Sequence, residues 1–158
     1  IFEYYIPKVE VPSTINNIPV LEIDDKAFYY SGYLTSVTIP NGVTSIGNNA
    51  FYGCKSLESV NLPICQSVGS HAFYQCYNLT TINLPACTFI GSSVFARCSQ
   101  LSTLVMGASS VCQIGGWFPF ASTPIESKRG TIYVPASLVD AYKSAKGWSS
   151  YSTIIRAI

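Results

Sequence analysis

Apolar residues recur along this chain with a period of about 22 residues. Phe28, Phe51, Phe73 and Phe95 follow one another at intervals of 23, 22 and 22 residues. Two further ladders with the same intervals are Leu34, Leu57, Leu79 and Leu101, and Ile23, Ile46, Val68 and Ile90. A fixed period of this length is typical of repeat proteins, whose stacked units bury one continuous core.

Short alternating segments lie between these ladders and predict one brief strand per repeat. The clearest are Val37-Thr38-Ile39-Pro40, Val60-Asn61-Leu62-Pro63 and Ile82-Asn83-Leu84-Pro85. Similar segments end at positions 12, 107 and 135, so we expect six rungs, with the irregular spacings at the two ends. After a second extended segment in each rung, we expect Asn48, Ser70 or Ser92 to cap a single helical turn.

Charge is scarce, and its scarcity excludes several function classes. Charged residues make up 11% of the chain and the net charge is +1, which gives no electrostatic basis for binding nucleic acid. From Ser59 to Ala96 no charged residue occurs, yet polar residues and prolines interrupt this stretch every few positions. It lacks the continuous apolar run of a membrane span, so we expect no membrane insertion.

Six cysteines, Cys54, Cys65, Cys76, Cys87, Cys98 and Cys112, share the period of the repeat. Cys54, Cys76 and Cys98 share one repeat position, which Ser31 and Thr123 hold in the end rungs. Cys65 and Cys87 share another, which is held elsewhere by Val20, Val43 and Val111. These substitutes cannot form disulfides, so the pattern indicates small interior side chains. Disulfides between neighbouring rungs remain the alternative, because Cα atoms one rung apart lie near the separation that a disulfide tolerates. Because Val111 holds the inward register position, we predict that Cys112 points outward and is the most reactive thiol.

Catalytic chemistry finds little support in the residue types present. His71 is the only histidine and lies at a variable repeat position, so we interpret it as a surface residue. Glu22, Asp24 and Asp25 form the one acidic cluster, with calcium ligation or a solvated turn as the two interpretations. We find no nucleotide-binding motif and predict no enzyme, no catalytic residue, no metal site and no cofactor.

Two surfaces remain as candidate binding sites. The outward residues of the strands form two polar rows on the concave face of the solenoid, here called the strand face; its candidate ligand-binding residues are Ser59, Asn61, Thr81, Asn83, Thr103 and Tyr133. The second surface, the tyrosine row, consists of Tyr29, Tyr52 and Tyr74. Each surface also has a purely structural interpretation, as a solvated sheet face or as cover for the phenylalanines.

The C-terminal segment predicts a cap for the open end of the core. Ser137 is a candidate helix N-cap, and Leu138, Tyr142, Ala145 and Trp148 share one face of the helix that would follow. Ile154, Ile155 and Ile158 add apolar surface. Between Val111 and Ile125 the repeat is least regular, and Gly115-Gly116-Trp117-Phe118-Pro119 replaces the short turn.

The repeat unit resembles the leucine-rich repeats of the BspA-like class, LxxVxLPxxxxxIGxxAFxxC. Leu57 to Pro63, Val68-Gly69, Ala72-Phe73 and Cys76 match it in order. The resemblance implies a leucine-rich-repeat solenoid with short parallel strands and helical or irregular turns. We expect one domain over residues 1–158, with an opening N-terminal rung at 1–22, repeats at 23–125, and the last strand and C-terminal cap at 126–158.

The same resemblance implies a non-enzymatic recognition or adhesion domain of a bacterial secreted or cell-surface protein. Its ligand would be a protein or a glycan, and the isolated domain would be monomeric. Two alternatives stay open, a structural spacer and a targeting module within a larger, enzymatic polypeptide.

Overall fold

The computed structural model describes residues 7–158, which contain short strands throughout and helical turns close to the C-terminus. The strands, in chain order, are β1 (Lys8–Glu10), β2 (Thr14–Ile15), β3 (Ile18–Pro19), β4 (Glu22–Ile23), β5 (Ser36–Thr38), β6 (Ser45–Ile46), β7 (Ser59–Val60), β8 (Ser67–Val68), β9 (Thr81–Leu84), β10 (Phe89–Ile90), β11 (Thr103–Met106), β12 (Gln113–Ile114), β13 (Thr131–Val134) and β14 (Ile155–Ala157). Helix α1 spans Val139–Ser144 between the 3-10 turns Ala136–Leu138 and Ser149–Ile154.

Each repeat contributes one strand to each of two parallel stacks. In the first stack, β1, β5 and β7 pair in order, as do β9, β11, β13 and β14, and a parallel bridge from Asn61 to Asn83 joins the two groups. The second stack pairs β4, β6, β8, β10 and β12. Neighbours in both stacks are successive rungs, which confirms the stacked repeats predicted from the period and the short parallel strands that the resemblance implies. The N-terminal strands β2 and β3 instead form an antiparallel hairpin, with Asn16 and Asn17 in the left-handed conformation that such tight turns require.

The phenylalanine ladder forms a stacked spine through the core. Ring centroids lie 5.0 Å apart from Phe28 to Phe51 and 5.1 Å apart from Phe51 to Phe73. Phe73, Phe95 and Phe120 continue the stack at 5.7 and 5.8 Å. The leucine and isoleucine/valine ladders are buried beside it, so the interior is a set of columns in which each side chain covers its counterpart one rung away.

The expected helical turns after the second strands are absent from rungs within residues 7–130, which form successive irregular turns there instead. Two positions in each rung have positive φ, and such residues break a right-handed helix. The first position is occupied by Lys26, Asn49, His71, Ser93 and Phe118, and the second by Tyr30, Gly53, Gln75, Arg97 and Ser122.

The predicted capping residues do not cap helices; their side chains hydrogen bond to the backbone of the next rung. The Asn48 side chain accepts the backbone N–H of Ser70 at 2.9 Å, and the Ser70 hydroxyl accepts that of Ser92 at 3.1 Å. Asp25 precedes them, accepting the N–H of Asn48 at 2.6 Å. This polar ladder ties successive turns together along the stack.

All six cysteines are free and buried. The thiols of Cys54, Cys76 and Cys98 donate to the carbonyls of the spine residues Phe28, Phe51 and Phe73 at 3.1, 3.2 and 2.9 Å. The interpretation of these residues as buried core ladders is thus confirmed.

The prediction for Cys112 is wrong, because its side chain is 1% exposed. Val111 is only half-buried, and the backbone of Cys112 is held from both sides by the cap. Its N–H donates to the Tyr142 hydroxyl at 3.0 Å, and its carbonyl accepts the indole N–H of Trp148 at 2.6 Å. A hydrogen bond with Cys87 and burial raise the pKa of the Cys112 thiol, which therefore stays protonated.

The C-terminal cap closes the core differently from the prediction in three respects. Ser137 is no N-cap, since the N-cap positions are Pro135 and Leu138 and neither makes a side-chain capping bond. Ile155 lies in β14, which pairs with β13, so β13 is not the last strand. Ile158 is 69% exposed rather than part of the plug. Tyr142, Trp148 and Ile154 are buried as expected, and the Trp148 ring lies 6.0 Å from Phe120.

No helix among residues 7–158 is long and apolar enough to cross a membrane.

Candidate functional site

The first row of the strand face follows the predicted register. Ser36 pairs with Ser59, and Thr81 pairs with Thr103, which in turn pairs with Thr131. Each side chain alternates with an inward Val, Ile or Leu, because successive residues of a strand point to opposite faces of the sheet. Ser59 and Thr81 are exposed and Thr103 is half-buried, so this row presents a line of hydroxyls.

The second row places amides beside an aromatic ring and a guanidinium. Asn61 pairs with Asn83, Asn83 with Val105, and Val105 with Tyr133. Tyr133 then pairs with Arg156 of β14. Asn61, Asn83, Tyr133 and Arg156 are all exposed. The row therefore runs over five adjacent strands, with the half-buried Val105 of β11 between Asn83 and Tyr133.

Arg156 is the strand-face residue that the sequence analysis missed. Its strand is three residues long and has no proline or glycine of the repeat pattern after it. The only signal is the alternation Ile155-Arg156-Ala157, which is too short to distinguish from apolar cover.

The electrostatics of the strand face are neutral in the middle and charged at the ends. Lys8 and Glu10 lie on β1, and Arg156 lies on β14. Between them the face offers hydroxyls and carboxamides, and an asparagine side chain both donates and accepts hydrogen bonds. Such a surface suits a ligand with many polar groups, such as an extended peptide or a glycan.

The tyrosine row is assembled as predicted. The Tyr29 and Tyr52 ring centroids are 5.2 Å apart, and those of Tyr52 and Tyr74 are stacked at 4.8 Å. Cations lie at both ends, with Lys26 Nζ 5.7 Å from the Tyr29 ring and Arg97 Cζ 5.9 Å from the Tyr74 ring. Loss of hydration, together with a hydrogen bond to Tyr30, raises the pKa of Tyr52.

Tyr52 and Tyr74 are half-buried, whereas Tyr29 is exposed. Beside the row, a shallow cleft of about 330 Å³ is lined by Tyr30, Gly32, Tyr33, Gly53 and Lys55. The row is thus partly shielded at Tyr52 and Tyr74 and accessible at its N-terminal end.

The titratable residues considered for catalysis are dispersed. His71 is half-buried, and its ring lies 5.6 Å from that of Tyr74. Asp24 accepts a hydrogen bond from the backbone N–H of Asp25, and Asp25 accepts one from that of Asn48. These bonds fit the interpretation of the acidic cluster as a solvated turn. Within residues 7–158, no group of three His, Cys, Asp or Glu residues is arranged to hold a metal ion.

Solved structures similar to this chain are bacterial leucine-rich repeat proteins. A leucine-rich repeat protein from T. pallidum matches at 31% identity with a TM-score of 0.70, over 82% of this chain and 58% of that one. A leucine-rich cell surface protein from Faecalibacterium prausnitzii matches at 24% identity with a TM-score of 0.64, over 96% and 48%. The pneumococcal vaccine antigen PcpA matches at 16% identity with a TM-score of 0.61, over 96% and 40%.

The chain therefore spans about half the length of these three proteins. Among curated proteins no match was found. The family comparison is more direct: six copies of the BspA type leucine-rich repeat region match residues 21–144. Together with the stacked rungs and their phenylalanine spine, this match shows that the chain belongs to the BspA type leucine-rich repeat family.

Proposed function

We propose that this chain is a non-enzymatic recognition domain of a bacterial secreted or cell-surface protein, and that its strand face binds a protein or glycan ligand in adhesion. The observation that carries the proposal is the second row, in which Asn61, Asn83 and Tyr133 lie exposed on one face, with Val105 of β11 between Asn83 and Tyr133. Membership of the BspA type family and the cell surface description of the F. prausnitzii protein support the setting.

The geometry of the row favours recognition over simple solvation. Parallel strands are spaced about 4.8 Å apart, so a ligand that lies across the strands meets a polar or aromatic group at every step except β11, where it meets Val105. Tyr133 is 37% exposed, and tyrosine is enriched among the residues that dominate binding energy. Asn61 and Asn83 supply the hydrogen bonds that fix the register of such a ligand.

Binding of the purified domain to immobilised extracellular matrix proteins and to a glycan array tests this proposal. We expect one ligand class to bind, and we expect the grouped variant Asn61→Ala, Asn83→Ala, Tyr133→Ala to weaken that binding about tenfold or more. Because all three side chains are exposed, each substitution should change the free energy of unfolding by no more than about 0.5 kcal/mol.

The second stack provides a matched control. The variant Gln66→Ala, Phe89→Ala, Gln113→Ala removes two exposed amides and one ring of similar exposure, since Phe89 is 38% exposed. This variant should bind like the wild type. Equal loss in both variants, or no binding of any ligand by the wild type, would reject the strand face as a recognition surface.

A further inference from the structure

The polar ladder between rungs ends at Trp117. In the four preceding rungs its register position is Asp25, Asn48, Ser70 or Ser92, and each of these side chains accepts the next backbone N–H. The N–H of Trp117 donates to Ser92 Oγ at 3.3 Å, but an indole has no acceptor with which to continue the ladder. The next residue, Phe118, takes the positive-φ position that Lys26, Asn49, His71 and Ser93 hold elsewhere.

Both aromatic side chains are left in solvent. Trp117 is 76% exposed and Phe118 is 67% exposed, although the cap lies next to them. Phe118 also has a φ of 55°, a conformation that is unusual for a bulky residue. Neither ring covers the core, so the structural interpretation given to the tyrosine row does not extend to them.

The backbone beneath these rings is held firmly. The Trp117 carbonyl accepts from Ser92 Oγ and from the Ser93 N–H, both at 3.0 Å. The following Pro119 is buried, and its carbonyl accepts the Phe95 N–H at 2.9 Å. A fixed backbone lowers the entropic cost of binding, because only the side-chain torsions of the two rings remain to be ordered.

The two rings border a cleft of about 330 Å³ against the C-terminal cap. Its cap wall comprises Lys146, Gly147, Ser150 and Tyr151. The volume lies in the range of small-molecule sites, about 300–1,000 Å³. A cleft of this volume is large enough for one or two sugar units.

The charge of the cap fits an acidic ligand. Residues 126–158 hold five basic residues and two acidic ones, a net charge of +3, although the whole chain carries only +1. Lys146 is the charged residue that lines the cleft. Of the two acidic residues, Glu126 lies close enough to Tyr151 for its negative charge to raise the pKa of that tyrosine. One carboxylate oxygen of Glu126 accepts a hydrogen bond from the Ser122 N–H at 2.6 Å.

We propose that this cleft binds a carboxylated monosaccharide unit at the end of a glycan. The apolar face of the sugar ring would pack on Trp117 and Phe118, its carboxylate would pair with the Lys146 ammonium, and Ser150 and Tyr151 would hydrogen bond to its hydroxyls. The site is separate from the strand face and does not depend on a ligand binding there.

The fluorescence of Trp117 reports on this site, and Trp117→Ala gives the separate contribution of the other tryptophan, the buried Trp148. We expect N-acetylneuraminic acid and glucuronic acid to change the emission saturably, and glucose to bind at least fivefold more weakly than glucuronic acid. The affinity for the acids should fall as salt is added, because an exposed ion pair is screened.

Two variants measured by calorimetry separate the components of the site. Trp117→Ala should weaken the binding of both acids about tenfold. Lys146→Gln should remove the preference for glucuronic acid over glucose, while Lys143→Gln on α1, which is not among the residues lining the cleft, should leave it intact. The strand-face variant should bind both acids like the wild type.

The proposal is overturned if glucose and glucuronic acid bind equally, if neither acid binds, or if Trp117→Ala leaves the affinity unchanged. If hexaglutamate binds and none of the sugars does, the cleft is instead a site for acidic peptides.

Discussion

At the scale of single residues, the cysteines fill core columns with small side chains that still hydrogen bond. A thiol is small enough to repeat in every rung, and the Cys54 thiol still donates a hydrogen bond to a backbone carbonyl at 3.1 Å. Burial raises the pKa of Cys54 and of Cys65 to about 12. Both thiols therefore remain protonated in the folded protein at pH values where an unfolded cysteine, with a pKa of about 8.5, has lost its proton.

These shifted pKa values predict that the protein loses stability in alkaline solution. Between about pH 8.5 and 12 the folded state binds more protons than the unfolded state, so the free energy of unfolding falls as the pH rises. Each such thiol contributes a slope of at most about 1.36 kcal/mol per pH unit. Below about pH 8.5 these thiols contribute no pH dependence.

Cys65→Val tests this account, because Val43 occupies the same ladder position. At pH 7 the variant should lie within about 1.5 kcal/mol of the wild type, and its stability should decline less steeply from pH 8.5 to 10 in urea titrations. Met106→Leu, a buried change without a thiol, serves as the control and should keep the wild-type slope. Identical slopes for Cys65→Val and the wild type would contradict the proposed pKa effect.

At the scale of elements, the turn after the second strand of each rung packs against the backbone of the preceding rung. A Cβ at Gly69 would lie 2.7 Å from the Asn48 nitrogen, and one at Gly91 would lie 2.5 Å from the Ser70 nitrogen. Real Cβ contacts do not come this close, so glycine is required here for the approach of two backbones.

Gly91→Ala should therefore destabilise the protein by about 1–3 kcal/mol, the usual cost of overpacking. Gly32→Ala is the matched control, since a Cβ there meets nothing closer than 3.9 Å, and it should change stability by no more than about 0.5 kcal/mol. Urea unfolding of both variants measures the difference. A Gly91→Ala protein as stable as Gly32→Ala would show that the rungs are not so closely packed.

The elements that the sequence predicted are those fixed by the repeat itself. Apolar columns such as the phenylalanine spine repeat at a fixed interval in the sequence. The first strand of each rung, with the proline that follows it, repeats in the same way. The turns were mispredicted because the left-handed conformation at Asn49, His71 and Ser93 follows from stacking on the next rung, which local propensity does not record. Strand β14 was missed because pairing with β13 creates it.

At the scale of the whole molecule, the solenoid separates its surfaces from its core. The rows of the strand face could be assigned from sequence because strand alternation determines which residues face outward. Arg156 and the cleft beside Trp117 could not, since both depend on how the cap folds back over the last rungs. The inward position of Cys112 has the same origin, because Tyr142 and Trp148 hold its backbone.

The proposed role as an adhesion domain belongs to this scale, because it requires several rungs to act together. A ligand lying across β7 to β13 would contact Asn61, Asn83 and Tyr133 in turn. Removing these groups should abolish adhesion while the core, and hence the fold, stays intact.

Whole-cell adhesion measures this most directly. The chain is displayed on a bacterium that does not adhere by itself, and the attached cells are counted on a layer of host cells. We predict that the wild-type chain confers adhesion, that the variant Asn61→Ala, Asn83→Ala, Tyr133→Ala returns it to background, and that Gln66→Ala, Phe89→Ala, Gln113→Ala leaves it unchanged. Full adhesion by the strand-face variant, or none by the wild type, would contradict the account.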